Sequence, residues 1–173
     1  MKKIATNCII FMGVSGVGKT SLGKEVAHRL GLKFIDGDDL HPKANIIKMG
    51  QGQPLSDQDR KPWLERVRDA AFSLNHKNEV GIIACSALKK SYRDMIRDGN
   101  ENICFLFLNS SFELIKSRMQ LRKGHFMKTE MLKSQFETLE IPLTSEQDVI
   151  FIDISDTFEQ VVERCIEALK PIL

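Results

Sequence analysis

The length, composition and charge of the chain limit the kinds of protein it can be. Its 173 residues, of which 42% are hydrophobic and 28% are charged, suffice for one compact domain but leave little room for a second. Its 25 basic and 23 acidic side chains nearly cancel to a net charge of +2, so no strong field predicts a nucleic acid or a membrane surface as partner. We therefore expect a single domain over residues 1–173.

The cysteines and the N-terminal segment predict a protein of the reducing cytoplasm. No cysteine has C-x-x-C spacing and three lie in strand-like apolar runs, which is typical of buried thiols rather than metal ligands or disulfide partners. These residues are Cys8, Cys85, Cys104 and Cys165. The basic start and the apolar run after it imitate a secretory signal, but Thr6 and Asn7 interrupt that run and we expect no export. No other apolar stretch approaches the length of a membrane-spanning helix.

Along the chain, apolar runs rich in β-formers alternate with segments of helical periodicity. The predicted strands are 8–12, 33–36, 80–85, 103–108 and 149–154. The predicted helices are 19–30, 57–74, 88–97, 111–121, 130–139 and 157–169. Nearly continuous hydrophobicity suits strands that are buried on both faces of a parallel sheet. The pattern predicts a three-layer α/β fold whose ligands bind beyond the carboxyl ends of the strands.

The most specific local motif lies between the first predicted strand and the first predicted helix. The sequence there matches G-x-x-x-x-G-K-[ST], with Gly13-Val14-Ser15-Gly16-Val17-Gly18-Lys19-Thr20 followed by Ser21. The glycines let backbone N–H groups point at phosphate oxygens, while Lys19 can reach the β- and γ-phosphates and Thr20 can offer its hydroxyl to Mg²⁺. A simple glycine-rich turn is the alternative, but the strand-then-helix context favours a phosphate-binding loop. A dinucleotide fingerprint fits poorly because it requires a third glycine.

Two acidic residues follow the second predicted strand. Asp36 and Asp38 flank Gly37, so one carboxylate can serve the water shell of a metal ion and the other a substrate hydroxyl. An Asp-Gly-Asp sequence in isolation is more often a turn or a helix cap. Beside a phosphate loop, however, a carboxylate can orient or deprotonate an attacking hydroxyl while Mg²⁺ and Lys19 stabilise the transferred charge.

Basic residues cluster at the end of the helix predicted after the fourth strand. Arg118 and Arg122 lie one helical turn apart, and Lys123-Gly124-His125 follow directly. This concentrates positive charge on a hinge-like segment, as a lid over phosphates requires. The alternative is a solvated basic helix end that interacts with the helix dipole. We expect a lid over about residues 118–128.

Further basic residues could bind a substrate, and the residues alone leave their roles open. His41 precedes Pro42 and is either a turn residue or a ligand. Arg60 lies at a helix start and either faces solvent or points its planar fork at a carboxylate. The same alternatives apply to the basic residues beyond the third predicted strand, which are Lys89, Lys90 and Arg93.

Several blocks along the chain match one family, and two of them are more specific than the phosphate loop. Those two are Leu40-His41-Pro42 after the Asp-Gly-Asp turn, and Cys85-Ser86-Ala87-Leu88-Lys89-Lys90. Further matching blocks are Pro54-Leu55, Asp59-Arg60-Lys61-Pro62-Trp63-Leu64, Arg122-Lys123-Gly124-His125-Phe126 and Gln135-Phe136-Glu137. Over essentially its whole length the chain resembles gluconokinases of the phosphate-loop type, which are relatives of shikimate and nucleoside-monophosphate kinases.

This resemblance implies ATP-dependent phosphorylation of D-gluconate at its 6-hydroxyl, giving 6-phosphogluconate and ADP. It also implies a five-stranded parallel sheet of order 2-3-1-4-5, a mobile lid and a homodimer. By analogy with shikimate kinases, Asp38 would hold the acceptor hydroxyl, Asp36 would lie near the water shell of Mg²⁺, and Arg60 would bind the substrate carboxylate. Arg118 would lie nearer the adenine, and Arg122 would reach the transferred phosphoryl group.

One departure from shikimate kinases concerns the substrate carboxylate. Those enzymes place a second carboxylate-binding arginine just after the lid, whereas residues 130–140 here contain no arginine and only Lys133 and Gln135 as basic or amide side chains. The acid group of an open-chain substrate must be held differently, and the unranked candidates are His41, Lys89, Lys90 and Arg93. Two alternatives stay open: a kinase for shikimate or a nucleoside monophosphate, and a module that binds nucleotide without catalysis.

Overall fold

A parallel sheet forms the centre of the molecule in the computed structural model, which describes residues 5–121 and 129–173. Its strands are β1 (Cys8–Met12), β2 (Lys33–Asp36), β3 (Gly81–Ala84), β4 (Ile103–Asn109) and β5 (Val149–Asp153). They pair in the order β2-β3-β1-β4-β5, and every pairing is parallel. The carboxyl ends of the strands therefore collect at one edge of the sheet. The structure confirms the predicted fold class and strand order.

Helices make the connections that return the chain to the start of each parallel strand. They are α1 (Lys19–Leu30), α2 (Lys43–Gly50), α3 (Asp57–His76), α4 (Lys90–Arg97), α5 (Phe112–Gln120), α6 (Thr129–Thr138) and α7 (Phe158–Leu169). Short 3₁₀ turns occupy Gly37–Leu40 and Lys170–Ile172. Within the two described ranges, no helix combines the length and apolar character that crossing a lipid bilayer would require.

Two apolar clusters, one on each face of the sheet, form the core. Alternate side chains of β1 enter the two clusters, with Ile9 and Phe11 on one face and Ile10 and Met12 on the other. Helices α1, α5, α6 and α7 cover the first face, and α3 and α4 cover the second. Because β1 is buried on both faces, its sequence is a continuous apolar run rather than an alternation.

Helix α2 was not predicted from the sequence pattern. It is short and exposes large apolar side chains such as Ile46, so its periodicity does not indicate a buried face. Polar contacts hold it instead: Asn45 Nδ2 donates to the carbonyl oxygen of Asp59 at 2.8 Å, and Lys48 Nζ pairs with Asp59 Oδ2 at 2.6 Å. Asp59 also forms a capping box with Ser56 at the start of α3. The helix therefore depends on a tertiary partner.

A buried ion-pair network fastens the segment before β5 to α4. Arg93 is fully buried, and its guanidinium makes two hydrogen bonds with Glu146, at 2.8 and 2.9 Å. Its remaining N–H groups donate to the carbonyl oxygens of Ala87, Leu88 and Glu140. Arg97 binds the same Glu146 carboxylate and also pairs with Asp148. Hydrogen bonds from the two arginines, above all Arg93, lower the pKa of Glu146 to about 2.

We expect Glu146 to make the free energy of unfolding depend on pH in acid. Because its pKa is depressed in the folded state, its stabilisation is complete above the unfolded value of 4.5 and is lost as the pH falls toward 2. Glu146→Gln leaves buried arginine charge uncompensated, so it should lower the free energy of unfolding at pH 7 by about 3 kcal/mol. It should also flatten the acid limb in urea titrations.

Glu167→Gln is the matched control, since it removes only an exposed pair with Lys170. It should leave both the free energy of unfolding and its acid limb nearly unchanged. Equal effects of the two substitutions would contradict the assignment of the acid dependence to the buried network.

Candidate active site

The phosphate loop joins β1 to α1. Gly18 precedes the helix with a φ of 94°, a left-handed conformation that residues with a β-carbon rarely adopt. Helix α1 then begins at Lys19, and the positive end of its dipole lies at the loop. Lys19 Nζ donates to the carbonyl oxygens of Gly13 and Val14, at 2.9 and 3.0 Å. The residues predicted to bind phosphate, 13–21, thus lie around one helix N-terminus.

A cavity of about 320 Å³ adjoins the loop on its α7 side. Loop and first-turn residues line it together with Arg118 and Phe158. Arg118 donates to the carbonyl oxygen of Asp156 at 3.1 Å, which holds its guanidinium beside the cavity. An aromatic ring and a planar cation next to a phosphate loop are suited to an aromatic base. The second arginine of the predicted lid, Arg122, lies outside the described residues. So does the rest of that lid, over residues 122–128.

The turn after β2 is held against the end of β3. Gly37 packs so closely there that an added β-carbon would lie 2.2 Å from the carbonyl oxygen of Ala84. The carbonyl oxygen of Gly37 accepts a hydrogen bond of 2.7 Å from the indole N–H of buried Trp63. Asp36 Oδ1 accepts the backbone N–H of Asp38 at 3.0 Å. These contacts fix the backbone from which the side chains of Asp36 and Asp38 extend.

Four side chains at the carboxyl ends of β1 and β2 interact through hydrogen bonds and charge. They are Lys19, Thr20, Asp36 and Asp38. The Thr20 hydroxyl donates to Asp36 Oδ2 at 3.5 Å. Burial lowers the pKa of Lys19 to about 8, and the carboxylates of Asp38 and Asp36 oppose that shift. Partial removal from water and the charge of Asp36 raise the pKa of Asp38, whereas Lys19 lowers it. Asp38 remains exposed, so a hydroxyl compound can reach its carboxylate.

The pair of Thr20 and Asp36 is suited to a magnesium ion that is bound together with phosphates. No group of three or more His, Cys, Asp or Glu side chains that could hold a metal occurs in the part of the chain that the structure describes. Mg²⁺ at a kinase site needs only one or two protein oxygens, because phosphates and waters complete its octahedron. A hydroxyl beside a carboxylate fits that requirement.

His41 is a buried, neutral side chain. Its ring stacks on Trp63 with the ring centroids 4.2 Å apart. Asn45 Nδ2 donates to the carbonyl oxygen of Asp59 and also contacts His41 Nδ1 at 3.2 Å, which assigns the imidazole proton to Nε2. Burial, with a smaller contribution from Arg60, lowers the pKa of His41 to about 4. His41 therefore cannot neutralise a substrate carboxylate at neutral pH, although its Nε2–H can donate a hydrogen bond.

Arg60 on α3 and Lys89 before α4 meet at the ring of Tyr92. Their cationic groups lie 5.7 and 5.5 Å from the ring centroid. Arg60 Nη1 donates to the Tyr92 hydroxyl at 3.3 Å, and that hydroxyl donates to Asp57. Lys89 Nζ pairs with the same Asp57 carboxylate at 3.2 Å. The cluster already binds one carboxylate, which is the chemistry that a substrate acid group requires.

Two other predicted substrate residues do not join this cluster. Lys90 Nζ pairs with Asp94 at 2.7 Å in an exposed contact. The structure contradicts the prediction that Arg93 is a candidate for binding the substrate. Its guanidinium is buried, and every N–H is bound within the protein. One of its acceptors is Ala87, whose φ of 45° is uncommon for a residue other than glycine. Arg93 therefore stabilises the strained segment that leads to Lys89 and does not reach a ligand.

The sequence patterns missed three side chains that shape the site. Trp63 and Tyr92 lie in segments that the sequence pattern predicted only as helices, yet their N–H and O–H groups make the contacts described above. The need of a buried Trp or Tyr for a polar partner was the available signal. Gln135 on α6 accepts the backbone N–H of Ser15 at 2.6 Å and donates to Ser15 Oγ at 2.8 Å. No local pattern predicts that contact, because the partners are 120 positions apart.

The chemistry at this sheet edge defines the class of the protein. A loop built for phosphates lies directly beside an accessible carboxylate, and a separate cationic cluster is suited to an acid. On a sheet of order β2-β3-β1-β4-β5, this is the arrangement of a phosphate-loop kinase that acts on a small molecule.

Comparisons with known proteins identify the family within that class. The shikimate kinase family model matches residues 15–170. Thermoresistant gluconokinase of Escherichia coli (strain K12) is 53% identical over 161 residues, covering 93% of this chain and 92% of that protein. Thermosensitive gluconokinase of the same strain is 55% identical over 169 residues, covering 98% and 90%. The crystal structure of a gluconokinase from Sinorhizobium meliloti 1021 has a TM-score of 0.87 at 38% identity, covering 98% and 94%. The chain belongs to the shikimate kinase family and, within it, to the gluconokinases.

We expect the site to be sensitive to an added methyl group at Gly37. The new β-carbon would meet the backbone of Ala84, which cannot move without shifting β3. Gly37→Ala should therefore displace Asp38 and lower the kinase turnover by roughly a hundredfold or more, measured as ADP release.

Gly50→Ala in α2 is the matched control, because nothing lies within 4 Å of its added β-carbon. Its turnover should match the wild type, and its thermal midpoint should equal or slightly exceed that of the wild type. Wild-type turnover in Gly37→Ala would show that the close packing of the turn is not needed for activity.

Proposed function

We propose that the protein transfers the γ-phosphoryl group of ATP to the 6-hydroxyl of D-gluconate, giving 6-phosphogluconate and ADP. The observation that carries the proposal is Asp38, an exposed carboxylate close enough to Lys19 for each to shift the pKa of the other. The 53% and 55% identity to gluconokinases supports gluconate as the acceptor. A module that only binds nucleotide would not need a carboxylate at this position.

In the proposed reaction, Asp38 acts on the acceptor. Its carboxylate accepts a hydrogen bond from the 6-hydroxyl and holds that oxygen in line with the γ-phosphorus. The new O–P bond forms as the bond between the γ-phosphorus and the bridging oxygen of ADP breaks, and Asp38 takes the hydroxyl proton late. The raised pKa of Asp38 supports this role, because a carboxylate with a higher pKa is a stronger base.

The loop and its lysine act on the nucleotide. Backbone N–H groups of residues 13–20, with Ser21 in the first turn of α1, bind the phosphates, and the Lys19 ammonium stabilises charge between the β- and γ-phosphates. Lys19, with a pKa of about 8, is mostly protonated at neutral pH, and phosphate charge would raise its pKa. Arg118 contacts the base in the adjoining cavity. The family resemblance assigns the transferred phosphoryl group to Arg122, which lies outside the described residues.

Magnesium belongs to the same proposal. Thr20 would bind Mg²⁺ through its hydroxyl, and Asp36 would bind a water molecule in its shell. The ion supplies neutralisation of charge on the β- and γ-phosphates when it is bound. In the protein, the long hydrogen bond of 3.5 Å from Thr20 to Asp36 keeps the hydroxyl and the carboxylate close together.

Arg60 and Lys89 are proposed to hold the gluconate carboxylate. An open-chain acid places its carboxylate and its 6-hydroxyl at opposite ends, so the acid group needs a cationic site apart from Asp38. The positive ends of α3 and α4 add to the charge of the two side chains. His41, being neutral, would donate a hydrogen bond to a hydroxyl rather than bind the acid group.

We also infer that the enzyme works in the cytoplasm as a homodimer. All four cysteines, each within the described ranges, are buried free thiols, as suits a reducing compartment. Edge strand β5 exposes Phe151, and the segment before it exposes Ile141 and Leu143, which gives apolar surface for a second copy. Light scattering after gel filtration should give twice the chain mass of 19.7 kDa. A monomer mass would remove the dimer from the proposal.

Loss of the Asp38 charge tests the mechanism. Asp38→Asn preserves size but cannot take the proton, so gluconate-dependent ADP release should fall by roughly two to four orders of magnitude. Binding of MgADP, measured by calorimetry, should persist because the loop is unchanged. Asp39→Asn, at the next position of the 3₁₀ turn, which is also exposed, is the control and should retain wild-type turnover.

Two results would contradict these roles. If Asp38→Asn stayed active while Asp36→Asn was inactive, the roles of the two carboxylates would be exchanged. If the wild type released ADP with shikimate or a nucleoside monophosphate but not with gluconate or idonate, the acceptor would be wrong.

Arg60→Met tests the carboxylate site. Loss of a charged hydrogen-bond donor should raise the KM for gluconate roughly tenfold to a hundredfold. The KM for ATP should change little and kcat should fall less than kcat/KM, because the lost contact is made in the ground state as well. Lys61→Met removes an exposed neighbouring charge on α3 and should change neither constant. An unchanged gluconate KM in Arg60→Met would place the acid group elsewhere.

A further inference from the structure

A side-chain amide from α6 binds the phosphate loop directly. Gln135 Oε1 accepts the backbone N–H of Ser15, and Gln135 Nε2 donates to the hydroxyl of the same residue. Ser15 is the third residue of the loop, and its N–H belongs to the backbone that curves around phosphates. Both polar groups of the amide are therefore used on one loop residue.

Helix α6 is itself held in place on both sides of Gln135. Leu132 is fully buried in the core cluster, and Phe136 packs edge-to-face on Phe112 with the ring centroids 5.6 Å apart. Beyond its end, the backbone N–H of Glu140 donates to the carbonyl oxygen of Leu88 at 2.8 Å. The amide is thus presented by an anchored helix rather than by a loose side chain.

Just beyond the end of α6, the chain contacts the segment that is proposed to bind the acceptor. The Glu140 carboxylate accepts the backbone N–H of Lys90 at 2.8 Å, at the first residue of α4. Arg93 donates to the carbonyl oxygen of Glu140. Residues 135–140, the end of α6 and the segment after it, therefore connect the phosphate loop to the segment that carries Lys89.

The loop needs such an anchor because glycine makes it conformationally costly to order. Gly13, Gly16 and Gly18 all have positive φ, and glycine loses more backbone freedom than any other residue when it is fixed. A contact that fixes the loop before phosphate binds removes part of that entropic cost from binding. Ser15 lies between Gly13 and Gly16, so one contact at Ser15 restrains the loop on both sides of it.

We propose that Gln135 is a positioning residue that holds Ser15 and so keeps the phosphate loop in its binding conformation. Both of its hydrogen bonds go to Ser15, so it acts through the loop rather than on the reacting atoms. The inference rests on nucleotide binding by the loop, which is part of the proposed function, but it does not depend on gluconate as acceptor. The competing interpretation is that the amide oxygen stands where a phosphate oxygen binds and must be displaced.

Gln135→Met tests the proposal, since it preserves length and shape but removes both hydrogen bonds. The dissociation constant of ADP, measured by calorimetry without any acceptor, should rise roughly fivefold to twentyfold. Binding of adenosine, measured by ligand-observed NMR, should be unchanged because adenosine carries no phosphate. General destabilisation of the fold would weaken both ligands alike. Glu137→Met, at an exposed position two residues along α6, is the matched control and should bind both ligands as the wild type does.

A double-mutant cycle gives a second readout. Ser15→Ala removes the hydroxyl acceptor, and combining it with Gln135→Met should weaken ADP binding no further than Gln135→Met alone. Tighter ADP binding in Gln135→Met would overturn the proposal in favour of displacement by phosphate. Unchanged ADP binding, or fully additive effects in the cycle, would also overturn it. Because ADP is measured alone, failure of gluconate phosphorylation would be a separate result.

Discussion

The parallel pairing of β3 between β1 and β2 is the constraint on which the site depends. It aligns the carboxyl ends of three strands, so the phosphate loop, the segment after β3 and the Asp-Gly-Asp turn become neighbours. Backbone contacts then set the spacing: the N–H of Gly13 donates to the carbonyl oxygen of Ser86 at 3.2 Å, and Gly37 packs on the carbonyl of Ala84. The geometry that phosphoryl transfer requires is therefore built on paired backbone, which tolerates little displacement.

Burial decides which cations of the site are structural and which can meet a substrate. Arg60 and Arg93 lie near the starts of α3 and α4, which cover the same face of the sheet. Arg93 is fully buried and uses all its N–H groups on Glu146 and on carbonyl oxygens. Arg60 is half-buried beside Tyr92 and can exchange a protein partner for a ligand. An arginine thus fixes the fold at position 93, and in the proposed function an arginine recognises the substrate acid at position 60.

The polar and charged groups of the proposed site already have partners within the protein. Lys19 is bound by loop carbonyl oxygens and lies near Asp38, while Lys89 is paired with Asp57. Gln135 satisfies the N–H of Ser15 in the loop. The two lysines are already oriented, so they need little rearrangement when an anionic ligand replaces their partners, which is the basis of electrostatic preorganisation.

The sequence by itself determined the features whose signals are local. The bounds of β1, β2 and α1 agree with the prediction because glycines and turn residues mark the ends of those elements, and the phosphate loop follows from residue types at fixed spacing. The resemblance to known kinases supplied the strand order. Only the tertiary structure decided that α2 forms on Asp59, that Arg93 is buried and that Gln135 binds Ser15. Periodicity shows which face of an element is apolar, whereas the partner of a buried polar group depends on which distant elements the sheet order brings together.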